Sequence, residues 1–171
     1  MQRCTYLENK SVLKACKMIN ETIKKSIQSS VLCWLATVDD SGQPHVSPKE
    51  IFAAVDDTHI VIAHIASPHS VRNIANHHKV CLSFVDVFVQ KGFKLQGLAR
   101  IVKAVDPEYS TWAAPLLPMV EGKFKIPSVI VVAVKSVDPI LAPSYRFYPE
   151  ATTEHDQVAS AMRRYGVQPK N

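Results

Sequence analysis

Glycine is scarce, with five in 171 residues. Neither GxGxxG nor GxxxxGK[ST] occurs, so both glycine-rich phosphate cradles are excluded. Any bound phosphate must be held by side chains and a helix start. Cys4, Cys16, Cys33 and Cys81 are scattered without a CxxC pair. This excludes a thiolate zinc cluster or redox motif and reads as free thiols in a packed interior. The seven histidines form no HExxH, and the side chains of adjacent His77 and His78 diverge, so no metal site is expected. Long apolar runs are also missing. The uncharged stretches 109–120 and 126–134 are too short to span a bilayer, and Pro115 and Pro118 break the first. The opening residues lack the apolar segment of a secretory leader, so the expectation is a cytoplasmic protein without a membrane anchor.

Hydrophobic residues make up 47% and charged residues 20%. A chain of this composition and length builds one domain around its own core, without disulfides or a structural metal. The net charge is +5, with the surplus near the ends. A solvated helix face accounts for it, and it also suits a small anionic ligand; nucleic-acid binding is the weakest reading.

Val12, Cys16, Ile19, Ile23 and Ile27 recur at helical spacing and predict an amphipathic helix over 10–29. The period then changes. Strands are expected at 31–38, 44–55, 59–65, 80–88, 93–105 and 128–137. Turn chemistry separates the first three at Asp39-Asp40-Ser41-Gly42 and Asp56-Asp57-Thr58. Pro48 interrupts the second strand and marks an edge, a bulge or a barrel corner. A short helix Pro68–Asn76 is predicted, with Ser67 at the cap position and Pro68 first in the helix. Residues 107–120 read as helical, disturbed by the two prolines. A final helix over 153–165 is capped by Thr152 or Thr153 and stopped by Gly166. Six short strands joined mostly by turns indicate a small antiparallel barrel, mainly β with flanking helices. The whole chain, 1–171, reads as one domain: an N-terminal helical segment 1–29, a barrel 30–137 and a C-terminal extension 138–171. The uninterrupted apolar run 129–134 predicts burial on both faces of the sixth strand.

Three segments could carry chemistry. Ser67-Pro68-His69-Ser70-Val71-Arg72-Asn73 places hydroxyls, an imidazole, a guanidinium and an amide at a helix start, where unpaired N–H groups favour an anion; an ordinary capped helix would contain the same residues. Val46-Ser47-Pro48-Lys49 offers backbone groups freed by proline, plus a cation; a plain barrel corner is the alternative. Gly92 and Gly97, following Lys91, suggest close approach of a backbone or a ligand to an extended strand.

The order of these pieces resembles the FMN-binding split-barrel proteins, the superfamily that contains pyridoxamine 5′-phosphate oxidase. The matching pieces are Leu35-Ala36-Thr37-Val38-Asp39-x-x-Gly42-x-Pro44, Ser47-Pro48-Lys49, Ser70-x-x-Asn73-Ile74 and Gly92-Phe93-x-x-x-Gly97-x-Ala99. The resemblance implies a six-stranded antiparallel split β-barrel that forms a homodimer with FMN at the interface. By position, Ser70 and Asn73 correspond to phosphate ligands, with His69 at a commonly basic place and Arg72 in the same donor cluster. Val46, Ser47 and Pro48 correspond to wall and backbone contacts of the flavin ring. Ala63 and His64 lie on the strand beside the ring, and Lys91 and Gly92 approach it from a strand pair. Either Lys49 or Lys91 could serve as the cation near the ring.

The chain also departs from pyridoxamine phosphate oxidases. Ser47 stands where they carry an arginine, and Phe52 where they hold the substrate phosphate with a lysine. His69-Ser70 replaces an Arg-Lys pair, and Gly92 a glutamine. No counterpart of their C-terminal Trp…Arg segment occurs in 145–171. The resemblance therefore implies an FMN-dependent oxidoreductase of another specificity, with NAD(P)H or another small molecule as reductant. The alternatives are a non-catalytic FMN electron carrier, or a binder of another anionic ligand such as haem or a deazaflavin.

Overall fold

The computed structural model describes residues 18–169. Cys4 and the 10–17 half of the expected first helix, with Val12 and Cys16, lie outside the described residues. Helix α1, Glu21–Ser29, begins where Asn20 caps it: the Asn20 side chain accepts from the Ile23 N–H at 3.0 Å. Its stripe of Ile23 and Ile27, with Ile19 just before it, is buried.

Among the described residues, seven strands form one antiparallel sheet, one more than expected: β1 (Cys33–Val38), β2 (Pro44–Lys49), β3 (Phe52–Ala54), β4 (His59–His64), β5 (Lys79–Asp86), β6 (Lys91–Lys103) and β7 (Ser128–Leu141). The extra strand arises because the stretch 44–55 breaks at Glu50-Ile51, not at Ser47-Pro48. Pro48 stays within β2, paired with Trp34. It is tolerated there because β2 is an edge strand and no neighbour needs the missing N–H.

The strand order is β2-β1-β5-β6-β7-β4-β3. Strands β2 and β3 are therefore at opposite edges, yet only Glu50 and Ile51 separate them. A connection that short spans roughly 10 Å at most, so the sheet has to curl until its edges nearly meet. The result is a curled half-barrel with flanking helices. The Ala63 N–H donates to the Ile51 carbonyl at 2.9 Å and ties this corner to β4.

Alternation sorts the side chains into two cores. Ile60, Ile62, Leu35, Leu82, Leu95, Ile130 and Val132 point into the barrel, with α1 and Ile74 of α2 (Pro68–Asn76) packed among them. Val61, Ala63, Val129 and Val131 point outward and are covered by Ala113, Leu116 and Val120. These belong to α3 (Tyr109–Ala113), α4 (Leu117–Val120) and the turn between them. The run 129–134 is thus buried on both faces, and the second cover comes from the same chain. The expected 107–120 helix splits in two because Pro115 cannot continue the first piece, whereas Pro118 fits the first turn of the second.

The sixth predicted strand runs on to Leu141. Beyond Ala133 its outer edge no longer pairs with β4, so Pro139 costs no ladder bond on that side. Two helices close the chain: α5 (Pro143–Phe147) and α6 (Glu154–Tyr165). Thr153 caps α6 by accepting from the Asp156 N–H, and Gly166 stops it at φ 66°. Among the described residues no helix is long and apolar enough to cross a membrane.

Candidate functional site

Strand β2 and the first turn of α2 face one another across the open seam of the barrel. The period-two alternation of β2 sends His45, Ser47 and Lys49 to the same side, and three contacts follow from outside to inside. The His45 and His69 rings stack at 5.4 Å between centroids, 6° from parallel. The Ser47 and Ser70 hydroxyls share a 3.0 Å hydrogen bond. The Lys49 ammonium donates to the Ser67 hydroxyl at 2.5 Å. Exposure falls along the series, from exposed His45 to Lys49 at 5%.

Lys49 is the unusual member. It is buried, and among the described residues it has no ion pair; its hydrogen-bond partner is neutral Ser67. Burial holds its ammonium below the usual lysine range. Cys33 stands opposite it in the β1–β2 register, and burial pushes that thiol up to about 12, so it is a neutral, inert neighbour. Ser67 occupies the cap position of α2, but its side chain makes no capping bond; its oxygen accepts from Lys49 instead. The helix start therefore keeps unpaired N–H groups beside an uncompensated cation.

His64, at the end of β4, adjoins this group. Its Nδ1 lies 2.9 Å from the buried Ser128 hydroxyl, its partner in the β4–β7 register. Burial, with the Lys49 charge second, lowers its pKa and favours the neutral imidazole. Asn73 is buried one turn into α2, and its amide donates to Thr37 Oγ1 at 3.0 Å, anchoring the helix to β1.

The structure thus brings together Ser47, Lys49, His64, His69, Ser70 and Asn73. Arg72 is exposed on α2. Val46 and Pro48 lie on the opposite, outer face of β2, and Ala63 points into the second core under α3 and α4. Lys91 and Gly92 are elsewhere. Lys91 pairs with Leu141, whereas Lys103 at the other end of β6 pairs with Ser128, so on the order of 40 Å of strand separates Lys91 from the His64 end. Its ammonium is bound to Glu154 at 2.6 Å and lies over the Tyr145 ring. Gly92 answers the alternatives left open for it. A Cβ there would come within 2.0 Å of the Phe84 carbonyl oxygen, so the close approach is that of a backbone.

Sequence reasoning missed His45, Ser128 and the Lys49–Ser67 bond. His45 was accessible as the residue two before Ser47 on the same strand face. Ser128 lies 64 positions from His64, and only the strand register reveals that pair. Among the described residues no cluster of three metal-ligating side chains occurs. The donor set (hydroxyls, imidazoles, one ammonium, free N–H groups) fits a phosphate monoester: it offers positive charge and hydrogen-bond donors with no carboxylate among them.

Solved structures share the fold. HupZ from Group A Streptococcus is 25% identical over 73% of this chain and 96% of its own, with a TM-score of 0.63. An FMN-binding protein from Syntrophomonas wolfei is 14% identical over 70% of this chain and 84% of its own, with a TM-score of 0.60. An F420 reductase is 22% identical over 70% and 98%, with a TM-score of 0.54. No curated protein matches the chain. The family model of pyridoxamine 5′-phosphate oxidase matches residues 19–138, from the start of the described chain into β7 and across the whole β2–α2 seam. With most of its length matched and the curled barrel in place, the chain belongs to the pyridoxamine 5′-phosphate oxidase family.

Proposed function

We propose that the chain binds FMN through its phosphate at the β2–α2 seam and serves as a flavin-dependent oxidoreductase distinct from pyridoxamine phosphate oxidase. The observation that carries this reading is buried Lys49, a cation without a counter-ion beside an uncapped helix start. Burying an unpaired charge is costly, and an anionic ligand offsets that cost. FMN supplies hydride and electron transfer at its ring. The chain supplies Ser47, Ser70 and the α2 N–H groups as donors, and Lys49 as the positive charge. His64, held by Ser128, lies near enough to Lys49 to feel its charge. Of the two lysines the sequence offered, Lys91 is neutralised by Glu154, so Lys49 is assigned the electrostatic role.

The FMN-binding structural neighbour supports the ligand, and the family supports the chemistry. Phe52 argues against vitamin B6 oxidation. It is buried in the barrel core against Phe84, where it offers no charge to a substrate phosphate. A deazaflavin is the second reading, favoured by the likeness to an F420 reductase.

Titration of the protein with FMN, followed by flavin fluorescence, tests this. Binding should be stoichiometric, and riboflavin, lacking the anion, should bind at least tenfold more weakly. Replacing Ser47 and Ser70 together by alanine should cost about 3–6 kcal/mol, at ~1.5–3 per lost hydrogen bond to a charged group. Equal affinity for FMN and riboflavin would place the phosphate elsewhere. NAD(P)H consumption by the loaded protein separates an enzyme from a carrier.

A further inference from the structure

The outer face of a curled sheet is convex, so a hollow in it has to be built from side chains. Period-two alternation puts Ala36, Cys81 and Gln96 on that face, along one rung across β1, β5 and β6. Ala36 and Cys81 are small and form a floor. The larger Val38, Pro44 and Leu98 stand around it, and the hollow has a volume of about 440 Å³. Small-molecule sites span about 300–1,000 Å³. Burial raises the pKa of the Cys81 thiol, so the floor carries no charge. The β2–α2 seam lies on the inner face of the sheet and uses none of these side chains.

Polar groups gather at one end only. Lys79 of β5, Gln96 of β6 and Lys135 of β7 all line the hollow. Lys135 reaches it through an irregularity in the ladder. Gly97 pairs with Val134 but Gln96 with Ser136, so Lys135 is an extra residue without a rung partner. A bulge of this kind re-aims a side chain. The Ser136 hydroxyl donates to the Gln96 side-chain oxygen at 3.3 Å, which leaves the Gln96 amide N–H groups as donors. Among the described residues, Lys79 and Lys135 have no ion pair, and no carboxylate lines the hollow. Asp138, on the next rung of this face, is taken by Lys94 at 3.4 Å. The opposite end, at Val38 and Pro44, is apolar. Three strand spacings, roughly 14 Å, separate β6 from β2.

We infer that this hollow binds an aliphatic monocarboxylate, with its carboxylate among Lys79, Lys135 and Gln96 and its alkyl tail over Cys81 and Ala36 toward Pro44. Two ammonium groups and an amide, with no acid among them, suit an anion. No aromatic ring lines the hollow to stack on a planar body, and burial of apolar area holds an alkyl tail. All of these groups belong to one chain; a second copy over the same face would roof the hollow, not supply its lining. The inference does not rest on the FMN reading.

The test is titration of the protein with decanoate below its micelle concentration, read by calorimetry and two-dimensional NMR. Binding should saturate at one per chain. The backbone amides of Cys81 and Leu98 should shift, while those of Ser47 and Ser70 in the seam should not. Decanol, equal in length but uncharged, should bind on the order of tenfold more weakly or worse. Lys79→Gln combined with Lys135→Gln, both at exposed positions, should weaken decanoate by a similar factor. Ala36→Leu, which fills the floor, should weaken decanoate and decanol alike. No saturable binding, equal affinity for decanol, an unchanged affinity in the double variant, or shifts confined to the seam would each overturn the proposal. FMN titration of the same samples judges the seam separately.

Discussion

Lys49 has opposite effects on stability and binding. Burial depresses its folded-state pKa, so the unfolded chain holds the proton more tightly. The resulting destabilisation sets in as pH falls from the unfolded lysine value, about 10.4, and is complete below the folded value. Lys49→Met fills the same space without charge and releases the Ser67 oxygen, which can then cap α2. The ligand-free variant should be more stable than the parent at pH 7, by about 1–3 kcal/mol, and the difference should shrink toward pH 10. FMN affinity should nevertheless drop tenfold or more. Thermal denaturation with and without FMN checks both signs. A ligand-free variant less stable than the parent would mean that Lys49 is held by favourable contacts and not at a cost.

At the scale of elements, α3 and α4 serve as a lid over the outer face of β4 and β7. Leu116, fully buried between them, is its keystone. Leu116→Ala should destabilise the protein by ~2–5 kcal/mol, the usual range for truncating a core leucine. FMN affinity, measured below the lowered melting point, should stay unchanged, because this core lies on the other side of the sheet from the seam. Denaturant unfolding and flavin titration read the two quantities separately. The same elements show how much was legible in advance. Helix Pro68–Asn76 was visible to the residue because serine, proline and an apolar stripe agree locally. The turn at Asp39 was visible too: its carboxylate accepts from the Ser41 and Gln43 N–H groups, and Gly42 adopts φ 83°. The β2–β3 break was misplaced because proline is a breaker only where its N–H is wanted, and an edge strand does not want it. The partners of Lys49 and His64 were not legible at all, since curling of the sheet and strand register bring them together across distant positions. Lys91 shows the converse: a lysine beside a glycine reads as a site until its carboxylate partner, 63 positions away, is known.

At the scale of the molecule, the described residues leave one face of the sheet bare. The lid covers the outer side of β4 and β7, which removes the apolar run 129–134 as an argument for a partner chain. Among the described residues, the outer side of β2, β1, β5 and β6 has no such cover. Trp34, Val46 and Leu98 are 45%, 57% and 44% exposed there. Ala36, Val38, Pro44 and Cys81 join Leu98 around a mainly apolar concavity of about 440 Å³. Among the described residues, strand β2 is also an edge that no further strand pairs, with the seam on its inner face. We expect a homodimer in which a second copy covers this face, burying above ~2,000 Å² in total as obligate dimers do. The outer residues Val46 and Pro48 would then meet the partner chain, while Ser47 and Lys49 of the same strand hold the ligand from within. Binding and assembly would be linked, so FMN affinity should depend on protein concentration near the dimer dissociation constant. A two-fold interface sets each patch against its own copy, so a new charge is introduced twice. Trp34→Lys combined with Val46→Lys should convert the dimer to monomer in analytical ultracentrifugation and weaken FMN binding in parallel, although neither side chain faces the β2–α2 seam. A wild-type monomer that retains stoichiometric FMN would show instead that one chain suffices and that the bare face serves another purpose.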